Sequence, residues 1–355
     1  MTRRSALLIG SMPFDSEAEA MKIALGTLGD RLLALPDGEI GEKSEEHPDG
    51  HRQSWIHTAL VGNIESGAYH VEETPELNER GFEVGRDARW KIRPSHAPRD
   101  LAAHMDFGYA RFFRSSYPIF QQLRKEAGAD AVPFEVGIPT GNAISLYALG
   151  PLRGLRYRKA HDERLAQEVA EIVEVGGDDV VVQVEVPFEM MMAGQLPRFA
   201  IGLPAGFVTS LIERFPTGTR VGLHLCCGDL NNEAVMRLNV ERMLVDFSKA
   251  LLERWPQGRK LEYVHFPLAE AATPPSLDRS IYEPLRDVVL PAGTRFVAGF
   301  VHERLSEAQN AELLRTIEDV RGGPVDIACS CGLGRRQPDV ARELLRLMAT
   351  MADLD

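Results

Sequence analysis

The chain has 355 residues, 44% hydrophobic and 26% charged, with 40 Lys+Arg against 52 Asp+Glu and a formal net charge of −12. This composition is globular and excludes a disordered, collagenous or coiled-coil chain. The acidic balance argues against a general binder of nucleic acid or of an anionic membrane, both of which need a positive field. No apolar run approaches the roughly 20 residues of a spanning helix, and the apolar part of the N-terminus is shorter than a signal-peptide core. A cytoplasmic protein is expected.

The first strand is predicted over Ala6–Gly10, followed by a helix over Ser16–Leu28 opened by a Ser/Glu start signal. Leu32–Leu35 is the second strand and runs into Pro36-Asp37-Gly38-Glu39. Residues 40–98 then leave the end of that strand as an insertion carrying Trp55, Tyr69 and Trp90, before a helical stretch over Arg99–Ala127. Phe134–Ile138, Val180–Val186, Val221–Leu225, Leu261–His265, Phe296–Val301 and Val325–Cys329 follow as further strands. Helical patterns lie between them at Asp162–Val175, Phe207–Phe215, Glu233–Trp255 and Ser306–Val320, and a last one follows at Asp339–Met351. Strands alternating with helices indicate parallel pairing through crossovers. Eight such units fit a single (β/α)8 TIM barrel, an α/β fold that takes roughly 250 residues or more. Residues 1–355 are therefore expected as one catalytic barrel. The insertion would be either a packing element or a lid over the pocket, since it leaves the active-site face.

Reactive groups of such barrels sit at the C-terminal ends of strands. Here those ends carry Ser11, Asp37 and Glu39, Glu185, His224-Leu225-Cys226-Cys227, His265, His302-Glu303 and Cys329-Ser330-Cys331. The four cysteines are too few for a disulfide framework and fall in two close pairs. His224 and Cys226 share a strand face, so one imidazole and one thiolate reach a common point, and Cys331 can complete a His/Cys/Cys set. A nitrogen-plus-sulfur set suits Zn²⁺ in tetrahedral coordination and leaves a position for substrate. A substrate thiol there would lose its proton and become a nucleophile. Cys329 shares the face of Cys331 but lies deeper in its strand, and Cys227 should point to the opposite face from Cys226 and pack against a helix. Plainer roles remain open at this point. The cysteines can be inert core residues or one of them a nucleophile. Glu185 can be a core carboxylate, Asp37 and Glu39 parts of a turn, and His302 a capping group. Arg335 and Arg336 can face solvent or a carboxylate.

Four motifs, in order along nearly the whole chain, carry a family resemblance. Ile9-Gly10-Ser11-Met12-Pro13 resembles the I-G-S-x-P opening of the catalytic barrel of cobalamin-independent methionine synthase. Val182-Gln183-Val184-Glu185-Val186-Pro187 resembles that family's I-Q-I-D-E-P, His224-Leu225-Cys226 its zinc motif H-x-C, and Cys331-Gly332-Leu333-Gly334-Arg335-Arg336 its C-G-L-x-x-R. The resemblance is to a divergent single-barrel member of the methionine synthase/uroporphyrinogen decarboxylase-like superfamily. It implies a Zn²⁺-dependent transfer of a methyl or other alkyl group to a thiol, with a small-molecule thiol acceptor and a folate-like or other methyl donor as partners. It implies His224, Cys226 and Cys331 as metal ligands, with His265 at the place of the family's fourth ligand. Ser11, Asp37, Glu39 and Glu185 would bind substrate, while His302 and Glu303 would move the proton of the leaving group. The fourth strand departs from the pattern in carrying Glu185-Val186 for Asp-Glu. A zinc hydrolase or lyase, a methyl ether demethylase using tetrahydrofolate, and a zinc-storage barrel are the rival readings.

Overall fold

In a computed structural model, the described residues are 4–41, 43–45, 50, 52, 55–76, 90–230 and 232–354. Eight strands close into a parallel barrel: β1 (Ala6–Leu7), β2 (Leu32–Pro36), β3 (Phe134–Pro139), β4 (Val180–Glu185), β5 (Arg220–His224), β6 (Lys260–Pro267), β7 (Arg295–Gly299) and β8 (Asp326–Ala328). Each pairs with its sequence neighbours, and β8 closes on β1 through Ala6↔Ile327. The expected (β/α)8 architecture is the one found. Among the described residues no helix is long and apolar enough to cross a membrane.

Period-2 alternation sorts the strand residues into two layers. On β4, Val180, Val182 and Val184 join the large apolar layer under the helices, while Val181 joins a small inner core with Leu7, Ile9, Ala34, Tyr263, Val297 and Ala328. Gln183 and Tyr263 extend that inner core with polar atoms, since the Tyr263 hydroxyl lies within hydrogen-bond distance of Gln183 Oε1 and Glu135 Oε2, each at 3.1 Å. Tyr263 fits because β5 carries Gly222 opposite it; a Cβ at that position would lie 2.2 Å from the Tyr263 ring. The barrel is thus filled at its waist and open to chemistry only above it.

The helices α1 (Glu17–Leu28), α2 (Tyr109–Glu126), α3 (Gly141–Gly176), α4 (Gly202–Ile212), α5 (Phe247–Leu252), α6 (Glu307–Arg321) and α7 (Pro338–Ala352) form the outer layer. Local signals explain several boundaries. Ser16 caps α1 by accepting from Glu19 N, and Ser306 with Gln309 forms a capping box on α6. Two expectations are corrected. Helical structure starts at Gly141, capped by Thr140, and not near Asp162: α3 is two helical segments that meet at the non-helical Gly150 (φ 73°), with Pro151 opening the second. The stretch from Glu233 does not begin as a helix: Asp229–Leu230 and Glu233–Ala234 pair as a short ribbon, and Asn239 caps the turn that leads into α5. Within 40–98, the described parts are a helix at Trp55–Glu65 and an antiparallel ribbon of Tyr69–Glu73 with Lys91–Pro94.

Candidate metal centre

Strand register brings the donor groups to one level. Glu185 of β4 is the Cα partner of His224 of β5, and His224 is the partner of His265 of β6. Two residues beyond β5, Cys226 remains buried, and the loop after β8 carries Cys331 to the same point. The ligand atoms of His224, Cys226 and Cys331 lie within 4.8 Å of one another. Metal–sulfur bonds of about 2.3 Å and metal–nitrogen bonds of about 2.0 Å would set tetrahedral ligand atoms roughly 3.7 Å apart, so closure needs about 1 Å or less of movement.

The residues present fit such a metal. His224 is fully buried, and its Nε2 has no hydrogen-bond partner, a costly arrangement for an imidazole unless that nitrogen has another use. The Cys226 thiol, as donor to Cys331, holds the Cys331 thiol well below its ordinary value, aided by His224 and Arg335, whereas Cys226 itself is pushed well up by that same bond and by burial. The two thiols thus bias each other in opposite senses, Cys331 toward ionisation and Cys226 against it.

The other two cysteines face away. Cys227 packs in the apolar layer under the helices. Cys329 does not share the face of Cys331: β8 ends at Ala328, and beyond its last ladder pair the alternation lapses, so Cys329 Sγ turns to Met348 Sδ of α7 at 4.0 Å. His265, expected as a fourth ligand, has both ring nitrogens engaged. Nδ1 meets His224 Nδ1 at 2.7 Å, and Nε2 meets the Cys329 carbonyl at 3.0 Å. It stands behind His224 rather than beside the sulfurs. Glu262, the other acid of β6, pairs with Arg220 at 2.7 Å and Lys260 at 2.8 Å near the opposite end of the strand.

Next to the cysteines lies a pocket lined by Asp37, Glu39, Glu135, Gly137 and Glu185 together with Arg52, Thr58, Phe107, Tyr109 and Phe112. A Cβ built on Gly137 would sit 3.3 Å from Glu39 Oε1 and 3.4 Å from Glu185 Oε1, so both carboxyls reach the space beside this glycine. Desolvation and the neighbouring Cys331 push Glu185 up to about 8, against the pull of Arg335. Desolvation, Glu185 and Asp37 hold Glu39 well above the usual carboxyl range. Glu39 has φ 53°, a left-handed backbone uncommon outside glycine. Asp37 maintains that turn, because its Oδ1 accepts from Glu39 N at 2.9 Å while Oδ2 accepts from Ser116 Oγ and Arg52 Nη2 at 2.8 Å each. Asp37 thereby orients Glu39. Ser11 lies against the loop that bears Cys331: its carbonyl accepts from Leu333 N at 2.7 Å and Gly334 N at 3.0 Å.

His302 and Glu303 are each engaged by other groups of the chain. His302 is fully buried; its Nε2 meets Ala271 O at 2.9 Å and its Nδ1 accepts from Arg304 N at 3.1 Å, so backbone groups occupy both nitrogens. Glu303 is bound through both oxygens to Arg336 Nε at 3.1 and 3.2 Å. The pair braces the loop after β7. Sequence reasoning passed over Glu135, Tyr109 and Arg52, and left Arg335 to solvent or a carboxylate. Glu135 was detectable as a lone acid inside an apolar strand. Arg52 and Tyr109 lie outside the barrel strands, where nothing in the local sequence marks them. The Trp55 side chain lies outside the described residues.

No family model and no curated protein matches the chain in sequence. Among solved structures, it is similar to a B12-independent methionine synthase from Shewanella sp. W3-18-1, with a TM-score of 0.53 at 13% identity over 99% of this chain and 97% of that one. The chain has the fold of that synthase. Further likenesses are to a putative vitamin-B12 independent methionine synthase from Listeria monocytogenes (TM-score 0.48, 12% identity, 95% and 86% covered) and a methyltransferase from Methanosarcina mazei (0.47, 14%, 99% and 94%). At these identities the likeness concerns the fold alone.

Proposed function

We propose that this protein is a Zn²⁺-dependent transferase that moves a methyl or other alkyl group onto the sulfur of a small thiol. The observation that carries the reading is the meeting of His224, Cys226 and Cys331 at the mouth of the barrel, with His224 Nε2 buried and unpartnered. These three residues would hold the metal and leave one position for a ligand from outside the protein. Bound there, zinc would supply the positive charge that lowers the pKa of an incoming thiol and keeps it a nucleophile at neutral pH. Two sulfurs in the donor set suit a thiol ligand better than water activation.

The chain's own groups bind and orient the acceptor. Glu39 and Glu185 converge on the space beside Gly137, close enough to Cys331 for its charge to act on both. With both carboxyls raised and Glu185 near 8, the pair retains a proton at neutral pH and suits a cationic amine or a hydroxyl. The same pair can accept the thiol's proton. Arg335 moderates the negative charge of this corner. Phe107, Tyr109 and Phe112 give the pocket an aromatic wall suited to a flat donor. The insertion, which supplies Arg52 and Thr58 to that wall, would serve as the lid.

The test is product analysis. Purified protein is incubated with methyltetrahydrofolate or an aryl methyl ether and, in parallel, homocysteine, coenzyme M or glutathione. Formation of a methyl thioether, abolished by a chelator and restored by Zn²⁺, is expected. Hydrolysis of the donor without a thioether, whichever thiol is supplied, would sink the transferase reading.

A further inference from the structure

We propose that His265 is a positioning residue that keeps the proton of His224 on Nδ1, so that His224 presents a bare Nε2 to Cys226 and Cys331. The consequence for metal binding rests on the reading of those three residues as a zinc site; the hydrogen-bond argument does not.

The argument starts at a backbone carbonyl. The Cys329 oxygen has lone pairs and no hydrogen, so its 3.0 Å contact requires an N–H on His265 Nε2. His265 is fully buried, and its ring contacts are an imidazole and a carbonyl, with no carboxylate hydrogen-bonded to it. A second proton would place an uncompensated charge there, at a large desolvation cost. The ring is therefore neutral, and its Nδ1 is a lone pair. Across the 2.7 Å contact between the two Nδ1 atoms, the proton must then come from His224. His224 is as deeply buried as His265 and has no carboxylate hydrogen-bonded to it, so a second proton on its ring would carry the same desolvation cost, and its Nε2, which has no hydrogen-bond partner, is left bare. The carbonyl contact, the Nδ1 pair and the burial of both rings point to one tautomer.

The fold fixes this relay rather than merely permitting it. His224 and His265 are Cα partners on adjacent strands, so ladder spacing sets the distance between their rings. The ring centroids are 4.8 Å apart and tilted by 48°, an edge contact through nitrogen instead of a stack. On the next strand Gly299 makes room: a Cβ there would lie 2.4 Å from His265 Nε2. The relay ends on Cys329, two residues before Cys331, and so ties β5 and β6 to the loop that delivers the third ligand. Residues that orient a metal-bound imidazole through its other nitrogen typically alter metal affinity ten- to a hundredfold when removed.

Two measurements decide the matter. Long-range ¹H–¹⁵N NMR on metal-free wild-type protein should show the His224 proton on Nδ1; a bare Nδ1 would overturn the proposal. Zinc affinity, read by competition with a chromophoric chelator, should fall roughly ten- to a hundredfold in His265→Leu. Most of it should return in His265→Asn, whose amide oxygen can stand where Nδ1 accepts. Equal affinity in the wild type and His265→Leu would also overturn it. A wild type that binds no zinc would defeat the metal reading alone, and the NMR result, taken without metal, would still judge the relay.

Discussion

Two of the four thiols meet an imidazole at the barrel mouth, and two do not. Cys226 and Cys331 lie beside His224, while Cys227 and Cys329 are in the apolar layer, Cys329 against Met348. The consequence is directly measurable. Wild-type protein should contain about one zinc per chain, as a single three-residue site requires. Cys226→Ser and Cys331→Ser should lose that metal, and Cys227→Ser and Cys329→Ser should retain it. Metal analysis that finds zinc lost in Cys329→Ser but kept in Cys331→Ser would reverse the assignment. A second residue-scale outcome concerns Glu185, which with Glu39 reaches the space beside Gly137. Glu185→Gln removes the acid but keeps the shape. It should raise KM for the thiol acceptor roughly tenfold or more, the worth of one charge-assisted hydrogen bond, with a smaller change for the donor. Steady-state kinetics with an unchanged acceptor KM would remove Glu185 from the acceptor's site.

At the scale of elements, the segment between β2 and α2 stands apart from the repeating pattern. Its helix at Trp55–Glu65 carries Thr58, which lines the pocket, and His57, whose ring centroid is 6.1 Å from that of Trp90 beside the ribbon. Arg52 of the same segment reaches Asp37 and Glu17, so the segment is anchored at the turn that orients Glu39. A donor entering against Phe107 and Tyr109 would press on this helix and change the surroundings of Trp90. Donor binding should therefore alter tryptophan fluorescence in wild-type protein, and Trp90→Phe should lose most of the response. A response of unchanged size in Trp90→Phe, or none in the wild type at saturating donor, would remove the lid role from this segment.

For the molecule as a whole, buried acids tie stability to pH. Glu189, fully buried beneath the loops after β3 and β4, accepts from Thr140 Oγ1 at 2.7 Å and Asn142 Nδ2 at 2.9 Å through Oε1, while its Oε2 has no hydrogen-bond partner. Burial pushes its carboxyl up to about 7, against 4.5 for the free group. Between those two values the unfolded chain releases a proton that the folded chain keeps, so this group's stabilising contribution falls as pH rises from about 4.5 to about 7. Glu189→Gln preserves both accepted hydrogen bonds and removes the titration. Relative to wild type, the variant should gain up to ~3 kcal/mol of stability between pH 4.5 and pH 8, at about 1.4 kcal/mol for each unit of the shift. Denaturant unfolding at the two pH values checks this. A constant difference between variant and wild type would show that Glu189 ionises as freely in the folded protein as in the unfolded one.

The sequence by itself determined the barrel and the identity of the reactive groups. Short apolar strands alternating with helices admit few other closures, and period-2 alternation puts His224 on the inner face of β5, with Glu185 in register on β4. The types of side chain at the strand ends, an imidazole, thiols and carboxyls, were legible for the same reason. Only the tertiary structure decided what each group touches. His265 stands at the level of His224 in either reading, and whether it faces an ion or a neighbouring nitrogen depends on Gly299 and on the Cys329 carbonyl just beyond β8, distant in sequence. Asp37 and His302 read as exposed reactive ends, yet Ser116 and Arg52 engage the first, and Ala271 and Arg304 the second. Cys329 and Cys331 differ by two positions, and alternation assigns them one face only while the strand lasts; β8 stops at Ala328, and packing against α7 then turns Cys329 outward. Local periodicity follows from backbone geometry within a few residues. Hydrogen-bond partners are chosen among groups that meet only after the chain has closed.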